Sequence, residues 1–306
     1  MNRILVIFSL MALTLASCQK QVSDALVEEN VSVSIKAVVP TLEGTKAMSE
    51  AENVDVVYYE VWSEDWSKRF YPAADEPAVS ASVAGKQAVI NVTLVKGLTY
   101  NMIFWAQNDA FDGYDVSDLK AVKVDYGKFE GNQDSYDAFY AVEKFTVSSV
   151  FEETVYLTRP FAQLNFGASV MSTDLGAVEV GTSSVTVSQL ATLFDTREGV
   201  GCKPIQNVTF VAEGIATDQP LKADGNTFSW IAMNYMLMMN ERDVVLVNAD
   251  FGIVGMDASV KHSVPNVPLQ KNFRTSIVGD LFTSDACLTV LVNPAFEKTD
   301  IIPEIL

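Results

Sequence analysis

Short segments of alternating apolar and polar residues constrain the fold of this chain most strongly. The clearest is 31–39, in which Val31, Val33, Ile35, Ala37 and Val39 share one face of an extended strand. Similar segments recur along the chain, separated by Gly, Asn, Asp and Pro, and no regular alternation of strands with long helices accompanies them. This pattern predicts an all-β fold built from sandwiches and disfavours a parallel α/β sheet.

Further strands are expected wherever apolar residues alternate or cluster between turn-forming residues. The predicted segments are 54–62, 88–95, 98–107, 154–158, 161–166, 185–187, 207–212, 228–237, 244–251, 259–264, 274–282 and 287–292. The turn at Lys96 and Gly97 predicts that 88–95 and 98–107 form a hairpin. Two short helices are expected, at 117–122 and 189–194.

The chain is long enough for two domains. It has 306 residues, 49% of them hydrophobic, and a domain takes about 150 residues. Arg159 closes one predicted strand, Pro160 removes a backbone donor, and a new strand starts at Phe161. We therefore predict an N-terminal β-sandwich domain over 31–160 and a C-terminal one over 161–306.

The charge of the chain is strongly negative. Asp and Glu number 39 against 21 Lys and Arg, and the formal net charge is −18. Binding to nucleic acid requires a basic surface, so a nucleic-acid partner is not expected. Solubility is the simplest explanation of this acidic excess.

The N-terminus has the features of an export signal. Arg3 precedes an apolar run over 4–15 that is too short to cross a bilayer as a helix, which takes about 20 residues. The following residues, Leu-Ala-Ser-Cys18, resemble the lipobox of bacterial lipoproteins. That resemblance implies a signal peptide over 1–17, cleavage before Cys18 and acylation of its thiol, as with palmitate. The polar residues 18–30 are expected to form a flexible tether.

Several segments, taken together in their order and spacing, resemble the fimbrillins. They are RPFAQLNFG (159–167), WIAMNYML (230–237), VPLQKNFRTSIVG (267–279) and VNPAF (292–296). Fimbrillins are lipoprotein precursors of type V pili in Bacteroidales, and the likeness extends to related DUF6562-like lipoproteins. It implies two transthyretin-like β-sandwich domains in tandem and a place on the outer membrane, lipid-anchored and exposed at the cell surface.

The resemblance also implies how such subunits would assemble. A trypsin-like protease cuts in the loop after the first strand, and loss of that strand opens a groove that a strand of another subunit fills. The matching strand is 31–39, with Val31, Val33, Ile35, Ala37 and Val39 facing inward. The matching loop is 41–53, where Lys46 is the sole basic residue. The implied partners are like subunits or other pilus subunits, in a stalk, anchor or accessory position.

Catalytic chemistry is not expected. His262 is the sole histidine, lies in a strand-like alternation and is accompanied by no Gly-x-Ser-x-Gly motif. One histidine with Cys202 and Cys287 does not make a zinc-binding set, and no cofactor motif is present. The two cysteines either form a disulfide in the exported protein or remain buried free thiols.

A second functional class remains open, namely a surface lipoprotein that binds a glycan or a host ligand without polymerising. Its candidate residues are Trp62, Trp66 and Tyr71, whose rings could stack on sugars if they are exposed. Core or sheet-edge packing is the commoner role of such aromatic residues.

Overall fold

The computed structural model describes residues 29–40, 51–73, 76, 78–173, 176–217, 220–257, 259–283, 287–293 and 302–304. The predicted signal peptide, the lipidation residue Cys18, most of the tether and the candidate cleavage residue Lys46 lie outside the described residues.

The described residues form strands of 2 to 16 residues. In the first half these are β1 (Asn30–Val38), β2 (Val56–Ser63), β3 (Arg69–Tyr71), β4 (Val79–Ser82), β5 (Gln87–Val95), β6 (Thr99–Gln107), β7 (Tyr114–Asp115), β8 (Ala121–Val124), β9 (Phe139–Thr146) and β10 (Phe151–Tyr156). In the second half they are β11 (Phe161–Ala168), β12 (Ser172–Thr173), β13 (Gly176–Ala177), β14 (Val180–Asp195), β15 (Val200–Glu213), β16 (Pro220–Ala223), β17 (Asn226–Leu237), β18 (Arg242–Ile253), β19 (Ser259–Gln270), β20 (Arg274–Gly279), β21 (Leu288–Asn293) and β22 (Ile302–Glu304).

The all-β prediction is confirmed, and each predicted strand overlaps an observed one. Both predicted helices are wrong. Residues 189–194 belong to β14, because β15 pairs along one side of that strand and β8 pairs with its end, so tertiary pairing overrides a weak local preference. Residues 117–120 form a turn, and 121–122 already belong to β8. Within the described ranges, the helical elements are 3₁₀ turns at Tyr126–Lys128 and Asp134–Tyr136.

Two hydrophobic cores organise the strands. The smaller core lies between a three-stranded sheet of order β10-β1-β5 and a sheet of order β3-β2-β6-β9, in which β4 also pairs with β2. The larger core lies between sheets of order β16-β17-β11-β20-β21-β22 and β19-β18-β14-β8-β7, with β15 pairing along β14. Both arrangements are sheets packed face to face over apolar side chains.

The larger core contains residues from both halves of the sequence. Strands β7 and β8 join the sheet of β14, and Tyr114 packs edge-on to Trp105 and against Phe161. Residues between β6 and β9 therefore belong to the larger core. The domain boundary between 160 and 161 stays a prediction.

The predicted hairpin between 88–95 and 98–107 is wrong. Strand β5 pairs with β1, whereas β6 pairs with β2 and β9 in the facing sheet. Gly97, at a φ of +84°, lets the chain cross from one sheet to the other at the turn. Its N–H donates to the carbonyl oxygen of Val147 rather than closing a hairpin.

The described part of the chain contains no helix that is long and apolar enough to cross a membrane.

Candidate functional site

Strand β1 is the central strand of its sheet. It pairs antiparallel with β5 over nine residues, from Asn30 opposite Val95 to Val38 opposite Gln87. On its other side it pairs parallel with β10, from Val33 to Val38. Removal of β1 would therefore leave the inner edges of both β5 and β10 without a hydrogen-bonding partner.

The inward face of β1 is buried as its alternation predicts. The five residues predicted to face inward are at most 5% exposed: Val31, Val33, Ile35, Ala37 and Val39. They pack in the smaller core with side chains from the facing sheet, including Val57, Tyr100, Met102 and Phe104. We call the space that β1 occupies between β5 and β10, above this apolar floor, the β1 slot.

Both ends of β1 are held in place. At the start, the N–H of Lys96 donates to the carbonyl oxygen of Glu29, and the two side chains form an ion pair of 2.7 Å. At the end, the N–H of Val39 donates to the carbonyl oxygen of Lys86, and that of Leu157 donates to the carbonyl oxygen of Val38. Described residues resume at Ala51, after the segment that contains Lys46.

Burial of β1 is energetically substantial. A fully buried Val or Ile side chain contributes about 1.5–3 kcal/mol, so the four larger side chains of β1 contribute about 6–12 kcal/mol together. While β1 is still joined to the rest of the chain, its spontaneous loss is therefore rare. A strand that replaced β1 would have to supply both the main-chain hydrogen bonds and apolar residues at alternate positions.

A buried ion pair lies where the two cores meet. The Nε and Nη2 atoms of Arg159 donate to Oδ1 and Oδ2 of Asp137, each at 2.7 Å. The guanidinium group also lies 4.3 Å from the ring centroid of Phe139. Burial raises the pKa of Asp137 to about 6, although Arg159 acts in the opposite direction. In the sequence, Arg159 marks only the end of a predicted strand, because its partner Asp137 lies 22 residues away.

The aromatic residues considered for sugar stacking do not form one exposed platform. Trp62 is 9% exposed and belongs to the larger core, and Trp66 packs against it at a ring-centroid distance of 6.5 Å. Tyr71 packs against the smaller core and donates to the carbonyl oxygen of Thr93. The three residues therefore serve mainly in packing.

The other candidate residues are also dispersed. His262 is partly buried, and its Nε2 lies 2.7 Å from the carbonyl oxygen of Leu281. Cys202 and Cys287 are free, with Cys202 half-buried on β15 and Cys287 exposed before β21, so they are neither a disulfide nor buried thiols. Across the described ranges, no group of three or more His, Cys, Asp or Glu side chains is placed to hold a metal ion.

A separate cavity of about 520 Å³ opens at the flank of the larger core. Three segments line it: the end of β15 and the residues after it (211–216), Trp230 on β17, and the loop 130–133. We call it the flank cavity. No local sequence pattern indicates this cavity, because the loop 130–133 lies about 80 to 100 residues before the other segments that line it.

The fold is shared with solved structures of other proteins. One is a candidate polysaccharide binding protein (DUF1812) from Bacteroides thetaiotaomicron, with 12% identity, a TM-score of 0.52, and coverage of 90% of this chain and 98% of that one. Another is a candidate adhesin from Bacteroides ovatus, with 11% identity, a TM-score of 0.51, and coverage of 90% and 96%. These likenesses show that the fold of this chain, paired β-sheets around two cores, also occurs in other proteins.

The family is shown by the sequence itself. Residues 23–303 match DUF6562, a family of unknown function, and the chain belongs to that family. No curated protein matches the chain.

Proposed function

We propose that this protein is a fimbrial or fimbria-like structural, anchor or adhesion subunit at the cell surface, and that subunits join when a strand from a neighbour replaces β1. The observation that carries the proposal is the position of β1, central in its sheet and buried along one face. A slot with two unpaired strand edges and an apolar floor would bind an extended strand of matching alternation.

In this proposal, Cys18 carries the lipid anchor in the outer membrane, and residues 18–30 tether the two cores to it. Cleavage after Lys46, in the segment that follows β1, separates β1 from the rest of the chain. The donor is the C-terminal segment of another subunit, whose last described strand, β22, lies at the end of its sheet. We further propose that the two cores correspond to two transthyretin-like domains in tandem. The role requires no catalytic activity and no cofactor.

The structural neighbours support the surface part of the proposal. The proteins that share this fold include a candidate adhesin and a candidate polysaccharide binding protein, both from Bacteroides. A surface lipoprotein that binds a ligand without polymerising is the second candidate function. The flank cavity favours a ligand-binding role, and because it does not involve β1, that role does not require strand replacement.

A protease experiment tests the strand replacement. Protein starting at Gln19, which lacks the lipidated cysteine, would be treated with a lysine-specific protease and followed by mass spectrometry and by electrophoresis of unheated samples. We expect a cut after Lys46, loss of the fragment that contains β1, and a ladder of oligomers. The Lys46→Gln variant is the control and should remain monomeric.

Synthetic peptides make the test specific to the slot. A peptide of residues 31–39 should suppress the ladder by refilling the slot, whereas the same peptide with Ile35→Asp should not, because it would bury a charge. Cleaved protein that stays monomeric and takes up neither peptide would refute strand replacement.

A further inference from the structure

We propose that the flank cavity binds a short neutral oligosaccharide. This site would specify a ligand for the surface role proposed above. It rests on that role only because the cavity must be accessible from outside the cell. It does not depend on strand replacement, because none of its walls comes from the smaller core. At about 520 Å³, it falls within the range of about 300–1,000 Å³ that is typical of ligand sites.

One wall of the cavity is rigid. The N–H of Gly131 donates to the carbonyl oxygen of Val211 on β15, and the N–H of Asn132 donates to that of Met233 on β17. The side chain of Asn132 accepts from the N–H of Met233 at 2.7 Å and donates to the carbonyl oxygen of Ile231 at 3.2 Å. The loop 130–133 therefore bridges the two facing sheets, and the cavity is formed before any ligand arrives.

The cavity combines an apolar side with polar groups. Ala212, Ile215 and Trp230 line it and are each at most 9% exposed. The indole of Trp230 is fixed by its Nε1, which donates to the carbonyl oxygen of Ala232 at 2.9 Å. The other lining residues include Glu130, Gln133 and Glu213, which are exposed.

This combination matches the chemistry of a pyranose ring. A pyranose has an apolar C–H face, which can contact the accessible parts of the apolar residues that line the cavity. It also has a rim of hydroxyl groups, which donate to carboxylates and exchange hydrogen bonds with an amide. Two carboxylates and a net charge of −18 disfavour anionic sugars. Neutral sugars are thus the class that both the apolar and the polar residues fit.

A buried amide behind the cavity is a second, independent observation. Asn234 is 2% exposed, and neither its Oδ1 nor its Nδ2 has a hydrogen-bond partner among the described residues. Its Oδ1 lies 3.3 Å from the position that a Cβ on Gly131 would occupy, and Gly131 is one of the residues that line the cavity. Buried polar groups are normally satisfied, so an unsatisfied amide next to a residue that lines the cavity is unusual.

The proposal is tested on intact, uncleaved protein starting at Gln19, with β1 in place. The probes are maltotriose, cellotriose and mannotriose, with 3′-sialyllactose as the anionic comparison, and the measurement is saturation-transfer NMR followed by titration. We expect at least one neutral trisaccharide to bind with a millimolar or tighter Kd and to bind more tightly than 3′-sialyllactose.

Three variants locate the binding. Ala216→Trp places a large side chain at the exposed edge of the cavity and should abolish binding with little change in Tm. Glu213→Gln should weaken binding about tenfold, the loss expected for one charge-assisted hydrogen bond. Glu198→Gln, a matched exposed glutamate outside the cavity, should leave the Kd unchanged.

Two results would overturn the proposal. One is that no neutral trisaccharide binds the wild-type protein at millimolar concentration. The other is that Ala216→Trp and Glu213→Gln both bind as tightly as the wild type, which would place the sugar elsewhere. Either result leaves the protease experiment unaffected, so failure of this site and failure of strand replacement are distinguishable.

Discussion

Replacement of Arg159 by methionine should destabilise the protein in a way that depends on pH. The side chains of Arg159 and Asp137 are only 3% and 1% exposed, so neither charge is screened by solvent. Methionine keeps an apolar contact with Phe139 but leaves the carboxylate without its partner. Breaking a buried pair in this way costs about 3–5 kcal/mol. We expect a loss of that size in the free energy of unfolding at pH 8.

The loss should be smaller at pH 5. The pKa of Asp137 is about 6 in the folded wild type, above the value of about 3.9 expected in the unfolded chain. Without Arg159, which lowers this pKa, it rises further. The folded variant therefore binds a proton that the unfolded chain lacks, so its stability falls as pH rises through the folded pKa. At pH 5 the carboxyl group is largely neutral, and we expect a loss of about 1–2 kcal/mol from the missing hydrogen bonds.

Urea denaturation followed by tryptophan fluorescence at the two pH values measures both losses. Arg197→Met is the matched control, since Arg197 pairs with Asp195 at the surface, and it should cost about 0–1 kcal/mol at either pH. The double variant Arg159→Met, Asp137→Asn should be more stable than Arg159→Met at pH 8, because no unpaired carboxylate remains. Equal losses at pH 5 and pH 8, or a double variant that recovers nothing, would refute the reasoning.

Three further predictions concern other parts of the chain. Ile35→Ala in β1 should lower the free energy of unfolding by about 2–5 kcal/mol and speed uptake of a labelled 31–39 peptide; an unchanged urea midpoint would contradict this. Gly201→Ala should prevent normal folding, because its Cβ would lie 2.1 Å from the carbonyl oxygen of Met238, and the circular dichroism spectrum and Tm would show it. Cys287 should react with a thiol reagent faster than half-buried Cys202, and reduction of the protein should release no further thiols.

Strands with one buried face were predictable from sequence. In β1 and, apart from the exposed Val89, in β5 the apolar residues alternate with polar ones, and the buried residues of the structure follow that alternation. Strand β11 is different, because all eight of its residues are buried. Its alternation identified one apolar face, but not that Gln163 and Asn165 on the other face are buried too. That second burial depends on neighbours contributed by distant segments.

Pairing partners and sites were less predictable. The Lys96-Gly97 turn is compatible with a hairpin and with a crossing between sheets, and only the packing of β5 against β1 decides between them. The ion pair of Asp137 and Arg159 and the flank cavity each join residues that are remote in sequence. Local patterns determine which residues are extended, whereas long-range contacts determine which strands pair and which side chains form a site.

The separation of the two cores bears on how a polymerising subunit could also bind a ligand. Strand β1 contributes its buried side chains to the smaller core, and the flank cavity lies on the larger one. The larger core includes β11, β14 and β17 and contains none of the inward residues of β1. A subunit that exchanged β1 would therefore rearrange the smaller core while the cavity kept its walls. Each subunit of an assembled fibre would then present the same preformed site, and weak binding at one site would be multiplied along the fibre by multivalency.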